Sequence, residues 1–361
     1  MAQINTRLDT TKMGWEAQRF AESLKRRIVG QDEAVRQIAG CYQMFVSGLR
    51  APGRPVGTFL FLGPTGSGKT RVVEATAESL VGSADAVIKI DCAEFQHSHE
   101  IAKLVGSPPG YLGHRETHPA LSQEVLNRHQ TEHVTISFVL FDEIEKASDA
   151  LWNLLLGILD KATLTLGDNR KVDFSSAMIF MTSNLGAAEM SAIVKPRFGF
   201  RPVIAPVDET IEDRISNTAK EAARRKFSPE FINRLDSLVV FKTLGEAELR
   251  RILKLELEFI EARVSQAVGH ESPVFTITEA AQECLLHAGI DERYGARHLK
   301  RALEQLLVRP LSNLLATRQI RARDSVVVDC AGESNGLEFF SQTRRVREVR
   351  AGAGEGRAVI R

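Results

Sequence analysis

A glycine-rich segment in the first third of the chain most constrains how this sequence can fold. Residues 63–70 read GPTGSGKT and complete the pattern GxxxxGK[ST]. An apolar run at residues 58–62 precedes the segment, and a helical pattern of apolar residues follows it. Glycines let successive backbone N–H groups point at one anion, and the start of a helix adds its positive end. The segment therefore predicts a phosphate-binding loop between a buried strand and a helix.

The residue types in this loop predict what it binds. The nucleotide-binding residues that we expect are Gly63, Pro64, Thr65, Gly66, Ser67, Gly68, Lys69 and Thr70. Lys69 would reach the β- and γ-phosphates, and the Thr70 hydroxyl would occupy one coordination position of Mg²⁺. The alternative, a glycine-rich turn that binds nothing, is disfavoured because strand, loop, Lys-Thr pair and helix follow in order. ATP and Mg²⁺ are therefore the predicted cofactors.

Two acidic residues follow another apolar run. Residues 138–141 read FVLF and lead directly into Asp142 and Glu143. Ligands of open α/β sheets bind at the carboxyl ends of the strands, where this pair is predicted to lie. Asp142 would hold the Mg²⁺ coordination shell, and Glu143 would orient and polarise the attacking water. The alternative is a pair of solvated acids before a helix, a weaker explanation downstream of a phosphate-binding loop.

Five apolar runs alternate with helical patterns between residues 28 and 242. The runs lie at residues 58–62, 86–90, 138–141, 177–181 and 237–241. Near-continuous apolar strands separated by helices are typical of a parallel sheet that helices cover on both faces. The predicted fold class is therefore α/β, with a smaller and mostly helical domain after it.

The pattern changes after residue 245. Helical spacing predicts a helix at about residues 246–264 and another around residues 299–306, which Pro310 is expected to end. One strand is expected at residues 325–328. The predicted domains are an N-terminal extension at 1–22, a large ATPase domain at 23–243, a small helical domain at 244–333 and a disordered basic tail at 334–361.

Charge, apolar runs and cysteines bear on where the protein is expected to work and what it is expected to bind. The chain has 47 Lys and Arg against 46 Asp and Glu, a net charge of +1, so no global field attracts nucleic acid or membranes. No apolar run approaches the roughly 18 residues of a membrane span, and the start lacks the layout of a secretory signal. The scattered cysteines, which fit a reducing compartment, are Cys41, Cys92, Cys284 and Cys330. We therefore expect a cytoplasmic protein.

Further segments resemble those of AAA+ ATPases of the Clp/heat-shock unfoldase family. Residues 28–35, IVGQDEAV, are similar to the segment that lines the family's adenine pocket, which assigns Val29 to nucleotide binding. Residues 142–147, DEIEKA, look like the Walker-B stretch of the ClpB and ClpC proteins. The motif TSN resembles sensor 1 and would place Asn184 near the γ-phosphate. The resemblance covers roughly residues 20–335 and is to the C-terminal ATPase module of those chaperones.

The same resemblance assigns two arginines to catalysis. Residues 227–236 resemble the segment that carries the arginine finger, here Arg234, which in this family completes the site of a neighbouring subunit. Residues 294–297, YGAR, look like sensor 2, with Arg297 reaching from the small domain to the nucleotide. Taken without the family, either arginine would be interpreted as an ordinary surface residue.

The resemblance also implies an assembly and a substrate class. Family members form homo-oligomeric rings, usually hexameric, that hydrolyse ATP to remodel protein substrates. Residues 106–113, GSPPGYLG, resemble the loop that projects into the central pore, where Tyr111 would grip polypeptide. The alternative for Tyr111 is an aromatic ring packed under a Gly/Pro turn. As a single-module chain, the protein is expected to choose its substrates through an adaptor or its terminal segments.

Three other functions stay open at this point. Phe198-Gly199-Phe200 lies where peptidase-coupled members carry their docking tripeptide, so a Clp-type peptidase could bind there. The alternative is a loop turn packed by its own aromatic side chains. A nucleic-acid remodeller would need basic pore loops, and the Tyr111 loop disfavours it. A nucleotide-switched assembly module would need no gripping loop, and residues 114–119, HRETHP, depart from the acidic and glycine residues usual there.

Overall fold

A computed structural model of the protein describes residues 8–107, 118–194, 210–269, 273–290, 295–321, 324–331 and 336–342. The chain forms two compact units. The first comprises residues 1–252 together with 290–298, and the second comprises residues 253–289 together with 299–361. The division falls inside a long helix, whereas the sequence pattern suggested a boundary before that helix, at residue 244.

The first unit is built on a parallel sheet. Its strands are β1 (Gly57–Leu62), β2 (Val87–Asp91), β3 (Ser137–Asp142), β4 (Thr163–Thr165), β5 (Lys171–Asp173), β6 (Ala177–Ser183) and β7 (Ser237–Val240). Five of them form a sheet of order β2-β3-β6-β1-β7 in which every neighbouring pair is parallel. Strands β4 and β5 form a separate antiparallel pair. The five apolar runs of the sequence are thus confirmed as the strands of one parallel sheet.

Helices accompany this sheet. They are α1 (Trp15–Arg27), α2 (Asp32–Val46), α3 (Lys69–Val81), α4 (Ala102–Val105), α5 (Gln123–Asn127), α6 (Asp149–Lys161), α7 (Ala187–Val194), α8 (Ile211–Lys226) and α9 (Pro229–Ile232). Alternate strand residues enter different core clusters, Phe59 and Phe61 one cluster, and Leu60 and Leu62 the other. Because successive strand side chains point to opposite faces, apolar layers cover both faces of the sheet.

Helix α1 corrects the predicted N-terminal extension at residues 1–22. Ala17 and Phe20 are buried, and the ring of Phe20 lies 4.9 Å from that of Tyr42 on α2. Few apolar residues precede Phe20, so the pattern there looked polar. The helix nevertheless buries one narrow face, and from Trp15 onward it belongs to the first unit.

A group of phenylalanines fixes the end of β1. The ring of Phe61 lies 4.9 Å from that of Phe241, just after β7, and 5.7 Å from that of Phe180 on β6. All three rings are fully buried. Aromatic pairs at such distances contribute about 0.5–1.5 kcal/mol beyond the area that they bury. This packing joins β1 to β6 and to the residue that follows β7, next to the loop after β1.

The second unit continues from α10 (Glu246–Val268), which begins in the first. Its remaining elements are β8 (Val274–Ile277), α11 (Glu279–Gly289), α12 (Ala296–Leu303), a π-helical turn (Glu304–Val308), α13 (Arg309–Ala316), β9 (Ser325–Ala331) and β10 (Gly336–Gln342). The start of α12, residues 296–298, belongs to the first unit. Strand β9 lies between β8, to which it is parallel, and β10, to which it is antiparallel. Among the described helices, none is both long enough and apolar enough to cross a membrane.

Three predictions for this part of the chain were wrong. Pro310 does not end the helix, because it lies in the first turn of α13, where a missing N–H is tolerated, and a π-helical turn precedes it. The sheet has three strands instead of one. Residues 336–342 of the predicted disordered tail form β10, whose pairing with β9 has no local sequence signal. Residues 343–361 lie outside the described part.

Candidate functional site

The loop between β1 and α3 depends on its glycines. Gly63 has φ 151°, and a Cβ atom there would lie 2.7 Å from the carbonyl oxygen of Phe241. Gly66 and Gly68 also have positive φ, 78° and 95°, conformations that side chains disfavour. The Ser67 hydroxyl donates to the carbonyl oxygen of Pro64 at 2.8 Å and closes the turn. The loop is therefore a tight, backbone-lined curve that ends at a helix N-terminus, as predicted for phosphate binding.

Lys69 is buried at the start of α3. Its ammonium donates to the carbonyl oxygens of Gly63, at 2.6 Å, and Pro64, at 3.0 Å, and to Asn184 Oδ1 at 2.8 Å. Burial lowers the pKa of Lys69 to about 8, although the carboxylates of three nearby acids act in the opposite direction. The positive charge of Arg297 lowers this pKa further. Lys69 is thus a desolvated cation held inside the loop.

Gln31, which the sequence did not mark individually, supports the loop from behind. Its side-chain amide donates to the carbonyl oxygens of Ser67 and Lys242, both at 3.0 Å, and its Oε1 accepts from the Lys242 N–H at 3.2 Å. Only 5% of Gln31 is exposed, and nearby Val29 is also buried. The sequence carried no specific signal for this role, because Gln31 is followed directly by two further polar residues, Asp32 and Glu33. Gln31 ties the loop to the chain that follows β7.

The acidic pair lies at the carboxyl end of β3, beside β6. Asp142 accepts a short hydrogen bond from the hydroxyl of Thr182, and the same hydroxyl oxygen accepts from the Glu143 N–H at 3.2 Å. Glu143 has φ 54°, a left-handed conformation that is uncommon for a residue with a side chain. Its carboxylate forms an ion pair with Lys146. Thr182 therefore holds both acids, a role that the sequence did not reveal.

Asn184 connects the acidic pair with the loop. Its side-chain oxygen accepts from Lys69 and lies 3.5 Å from the Thr65 hydroxyl. Its side-chain nitrogen, Nδ2, lies 3.5 Å from Glu143 Oε1. Glu145 Oε1 accepts from the Asn184 backbone N–H at 3.1 Å, a contact that the sequence also did not indicate. Predicted residues from three separate motifs thus meet at one edge of the sheet.

A cavity of about 220 Å³ adjoins the loop within the first unit. Its walls are residues 64–67, residues 243–246, Leu249, Ile290 and Gly295. The Ala296 N–H donates to the Gly66 carbonyl oxygen at 3.2 Å, so α12 begins directly against the loop. The next residue, Arg297, is exposed and lies close enough for its charge to act on Lys69.

Arg234 is not brought together with these residues. Its guanidinium forms ion pairs with Glu230, at 2.9 Å, and Asp160, at 3.3 Å, and the hydrogen bond from Arg234 to Glu230 is the main factor that raises the arginine's pKa. Its carbonyl oxygen lies 3.3 Å from the hydroxyl of Thr58, at the amino end of β1. The loop begins five residues later, about 16 Å along the strand. Tyr111 and residues 198–200 lie outside the described part of the chain.

A backbone cradle with a buried lysine, beside two acids at the carboxyl ends of parallel strands, defines a P-loop nucleotide-binding protein. The family described as AAA domain (Cdc48 subfamily) matches residues 54–238. The C-terminal, D2-small domain of ClpB protein matches residues 244–328. The chain belongs to the AAA family, and the expected nucleotide-binding class and α/β fold are confirmed.

Individual relatives point to one branch of that family. The chain is 37% identical over 314 residues to the chaperone protein ClpB of Bdellovibrio bacteriovorus, covering 87% of this chain and 34% of that protein. It is 39% identical over 316 residues to the chloroplastic chaperone protein ClpC3 of Oryza sativa, covering 87% and 32%. The chain thus spans about a third of the length of these curated relatives. The predicted resemblance to a ClpB/ClpC ATPase module is confirmed.

A solved structure agrees with this assignment. The complex of S. cerevisiae Hsp104 with casein, in its extended conformation, superposes with a TM-score of 0.75 at 28% identity. The match covers 91% of this chain and 53% of that chain. The structural similarity therefore covers nearly all of the present chain.

Proposed function

We propose that this chain hydrolyses ATP with Mg²⁺ and uses the reaction to remodel protein substrates in an oligomeric ring. The observation that carries the proposal is the meeting of Lys69, Asn184 and Glu143 at one edge of the sheet. A phosphate-binding cation, a polar side chain and a general-base candidate are the groups that ATP hydrolysis requires together. The proposed domains are a large ATPase domain that includes α1 and a small domain that includes β10.

The ligand that we propose for the loop and the adjoining cavity is a nucleoside triphosphate. Backbone N–H groups of residues 63–70 and the ammonium of Lys69 would bind the phosphate oxygens, and Arg297 would add a second cation. The cavity between the loop and Gly295 would take the adenine base. Val29, which is buried two residues before Gln31, is the further residue that we propose for base binding. Lys69 would then exchange its carbonyl partners for phosphate oxygens, which are stronger acceptors.

The catalytic step would use the acids at the end of β3. Thr70 and Asp142 offer the hard oxygen ligands that Mg²⁺ prefers, and the bound ion would neutralise charge on the phosphates. Glu143 would orient water for attack on the γ-phosphoryl group, after its carboxylate leaves Lys146. Asn184, in contact with both Lys69 and Glu143, would set the position of the carboxylate relative to the phosphates.

The position of Arg234 supports action on a neighbouring subunit. About 16 Å of strand separates it from the loop of its own chain, more than an arginine side chain can reach. An arginine supplied to a phosphoryl-transfer site raises the rate by about 10³–10⁵. We therefore propose a homo-oligomeric, hexameric ring in which each Arg234 completes the adjacent site.

Protein substrates, an adaptor and a cytoplasmic location complete the proposal. The Hsp104 structure was determined with casein, which supports a polypeptide as the substrate class. Tyr111 would grip that polypeptide, and a Clp-type peptidase docking at residues 198–200 is a further proposed partner. All four cysteines are free in the described structure, as suits a reducing compartment.

The proposal is tested by ATPase rate against protein concentration, with and without casein, alongside the mass of the protein in ATP. We expect the specific rate to rise as rings assemble and to change when casein is added. Glu143→Gln serves as the control that binds ATP without turnover. A chain that stays monomeric in ATP, with no turnover at any concentration, would contradict the proposal.

A further inference from the structure

Asp236 makes a dense set of hydrogen bonds two residues after Arg234. Its Oδ2 accepts from the Thr58 N–H at 2.9 Å and from the Thr58 hydroxyl at 2.7 Å. Its own N–H donates to the carbonyl oxygen of Thr58 at 3.0 Å. Thr58 is 1% exposed and belongs to β1, which is buried along its whole length. Asp236 is thus hydrogen-bonded to a strand that is buried along its whole length.

The same cluster also holds the backbone of Arg234. The carbonyl oxygen of Arg234 accepts from Arg54 at 3.2 Å and lies 3.3 Å from the Thr58 hydroxyl. By contrast, the guanidinium donates to the carbonyl oxygen of Glu230 at 3.2 Å and forms ion pairs, among the described residues, with the carboxylates of Asp160 and Glu230, which are 48% and 63% exposed. Exposed ion pairs contribute little and exchange readily. The anchor therefore fixes the position of the Arg234 main chain, from which the guanidinium extends.

We propose that Asp236 is the positioning residue of Arg234 and acts through Thr58. This inference rests on the proposed function, in which Arg234 completes the site of the adjacent subunit. Asp236 holds the short segment between α9 and β7 against the amino end of β1, and thereby fixes the point from which the guanidinium extends. A displacement of about 1 Å at a reacting group can cost roughly 100-fold in rate, so the anchor matters to catalysis although it contacts no nucleotide.

The consequence is a specific kinetic pattern. Every described partner of Asp236 lies at the amino end of β1, whereas the nucleotide loop follows its carboxyl end. Asp236→Asn should therefore lower kcat about 10- to 100-fold while the KM for ATP changes less than about threefold. Thr58→Val, which keeps the shape and removes the hydroxyl, should behave likewise, and Thr58→Ser should retain most of kcat.

Mixed oligomers provide the decisive test. Subunits with Asp236→Asn keep an intact nucleotide loop, and subunits with Lys69→Ala keep an intact Arg234, so mixing them should restore ATPase activity. Asp329→Asn is the matched control, because Asp329 makes a comparable pair with Thr278 at 2.6 Å in the second unit. That control should keep the wild-type rate.

The outcomes separate this inference from the proposed function. No recovery in confirmed mixed rings, an unchanged kcat in both Asp236→Asn and Thr58→Val, or a KM that rises with the fall in kcat would overturn the positioning role. A parallel mixture of Arg234→Ala with Lys69→Ala subunits tests the proposed function itself. If that mixture also fails to recover, Arg234 does not act across the interface, and the role of Asp236 falls with it.

Discussion

The ammonium of Lys69 donates a hydrogen bond to the side-chain oxygen of Asn184, 2.8 Å away. The two residues belong to different strand ends, Lys69 after β1 and Asn184 after β6. Strands β1 and β6 are paired in parallel, so their carboxyl ends meet at one edge. Because the amide of Asn184 also approaches Glu143, the contact joins the phosphate-binding loop to the acid that would activate water.

Removing this connection should affect turnover more than binding. In Asn184→Ala, Lys69 keeps its two carbonyl partners, but Glu143 loses its amide neighbour. We expect kcat to fall about 10- to 100-fold, with a Kd for ATP within about threefold of wild type. Steady-state kinetics and nucleotide titration measure the two effects. Asn127→Ala, at an exposed position of α5, is the control, and a loss confined to Kd would contradict the role given to Asn184.

The depressed pKa of Lys69 predicts a pH dependence of nucleotide binding. With a pKa of about 8, Lys69 is charged below that pH and becomes neutral above it. Phosphates stabilise the charged form, so the affinity for ATP should be constant below about pH 7.5 and weaken through about pH 9.5. Binding at about pH 8.5 should also take up protons, which calorimetry in buffers of different ionisation enthalpy detects.

Lys69→Arg is the control for this prediction. Arginine stays charged throughout this range, so any affinity that the variant retains should not change with pH. A wild-type Kd that is flat from about pH 7 to about pH 10 would show that Lys69 does not titrate there. In that case, burial would not have lowered its pKa as the structure indicates.

Gln31 should matter to both stability and binding. Gln31→Ala would leave the carbonyl oxygens of Ser67 and Lys242 without their buried donor, a loss of about 1–3 kcal/mol for each group left unpaired. We expect a lower Tm and an ATP affinity reduced about 10-fold, because the loop loses its support. Gln37→Ala, on the exposed face of α2, removes only a contact with Glu33 and should change neither. Equal effects of the two substitutions would contradict the bracing role.

The contact between α12 and the loop can be tested with a matched pair of glycines. Gly295 has φ 50°, and a Cβ atom there would lie 2.9 Å from the carbonyl oxygen of Gly66. Gly82 has φ 79°, and a Cβ atom there would meet no other atom within 4 Å, so alanine at this position is strained but unobstructed. Gly295→Ala should weaken ATP binding at least about 10-fold, while Gly82→Ala only lowers Tm. Similar nucleotide affinities in the two variants would refute the contact's importance.

The parts of the site that the sequence predicts are those encoded in short segments. The loop between Gly63 and Thr70 and the pair Asp142-Glu143 each follow an apolar run, so strand, turn and chemistry are visible within about ten residues. Asn184 and the two arginines depend on resemblance, since a single asparagine or arginine carries little information by itself. The meeting of these segments follows from the parallel sheet, which was also predictable from its apolar runs.

The parts that were missed depend on contacts between distant residues. Gln31 and Lys242 are in contact although they are 211 positions apart in the sequence. Thr182 on β6 donates to Asp142 on the neighbouring strand β3. Strand β8 has only four residues, and none of them is fully buried, so it is hard to recognise before its partner β9 is known. The periodicity of apolar residues indicates which face of a helix or strand is buried. It does not indicate which other helix or strand packs against that face, and the contacts of Gln31, Thr182 and β8 depend on that.

Single-turnover hydrolysis of ATP by the wild-type chain and by Glu143→Gln, with binding measured in parallel, tests the central claim most directly. The arrangement of Lys69, Asn184 and Glu143 predicts that both proteins bind ATP with Mg²⁺ at similar Kd. It predicts hydrolysis by the wild type and a rate lower by about 100-fold or more in the variant, since a positioned general base contributes that much. Equal hydrolysis rates in the two proteins, or binding that is lost in Glu143→Gln, would contradict the assignment.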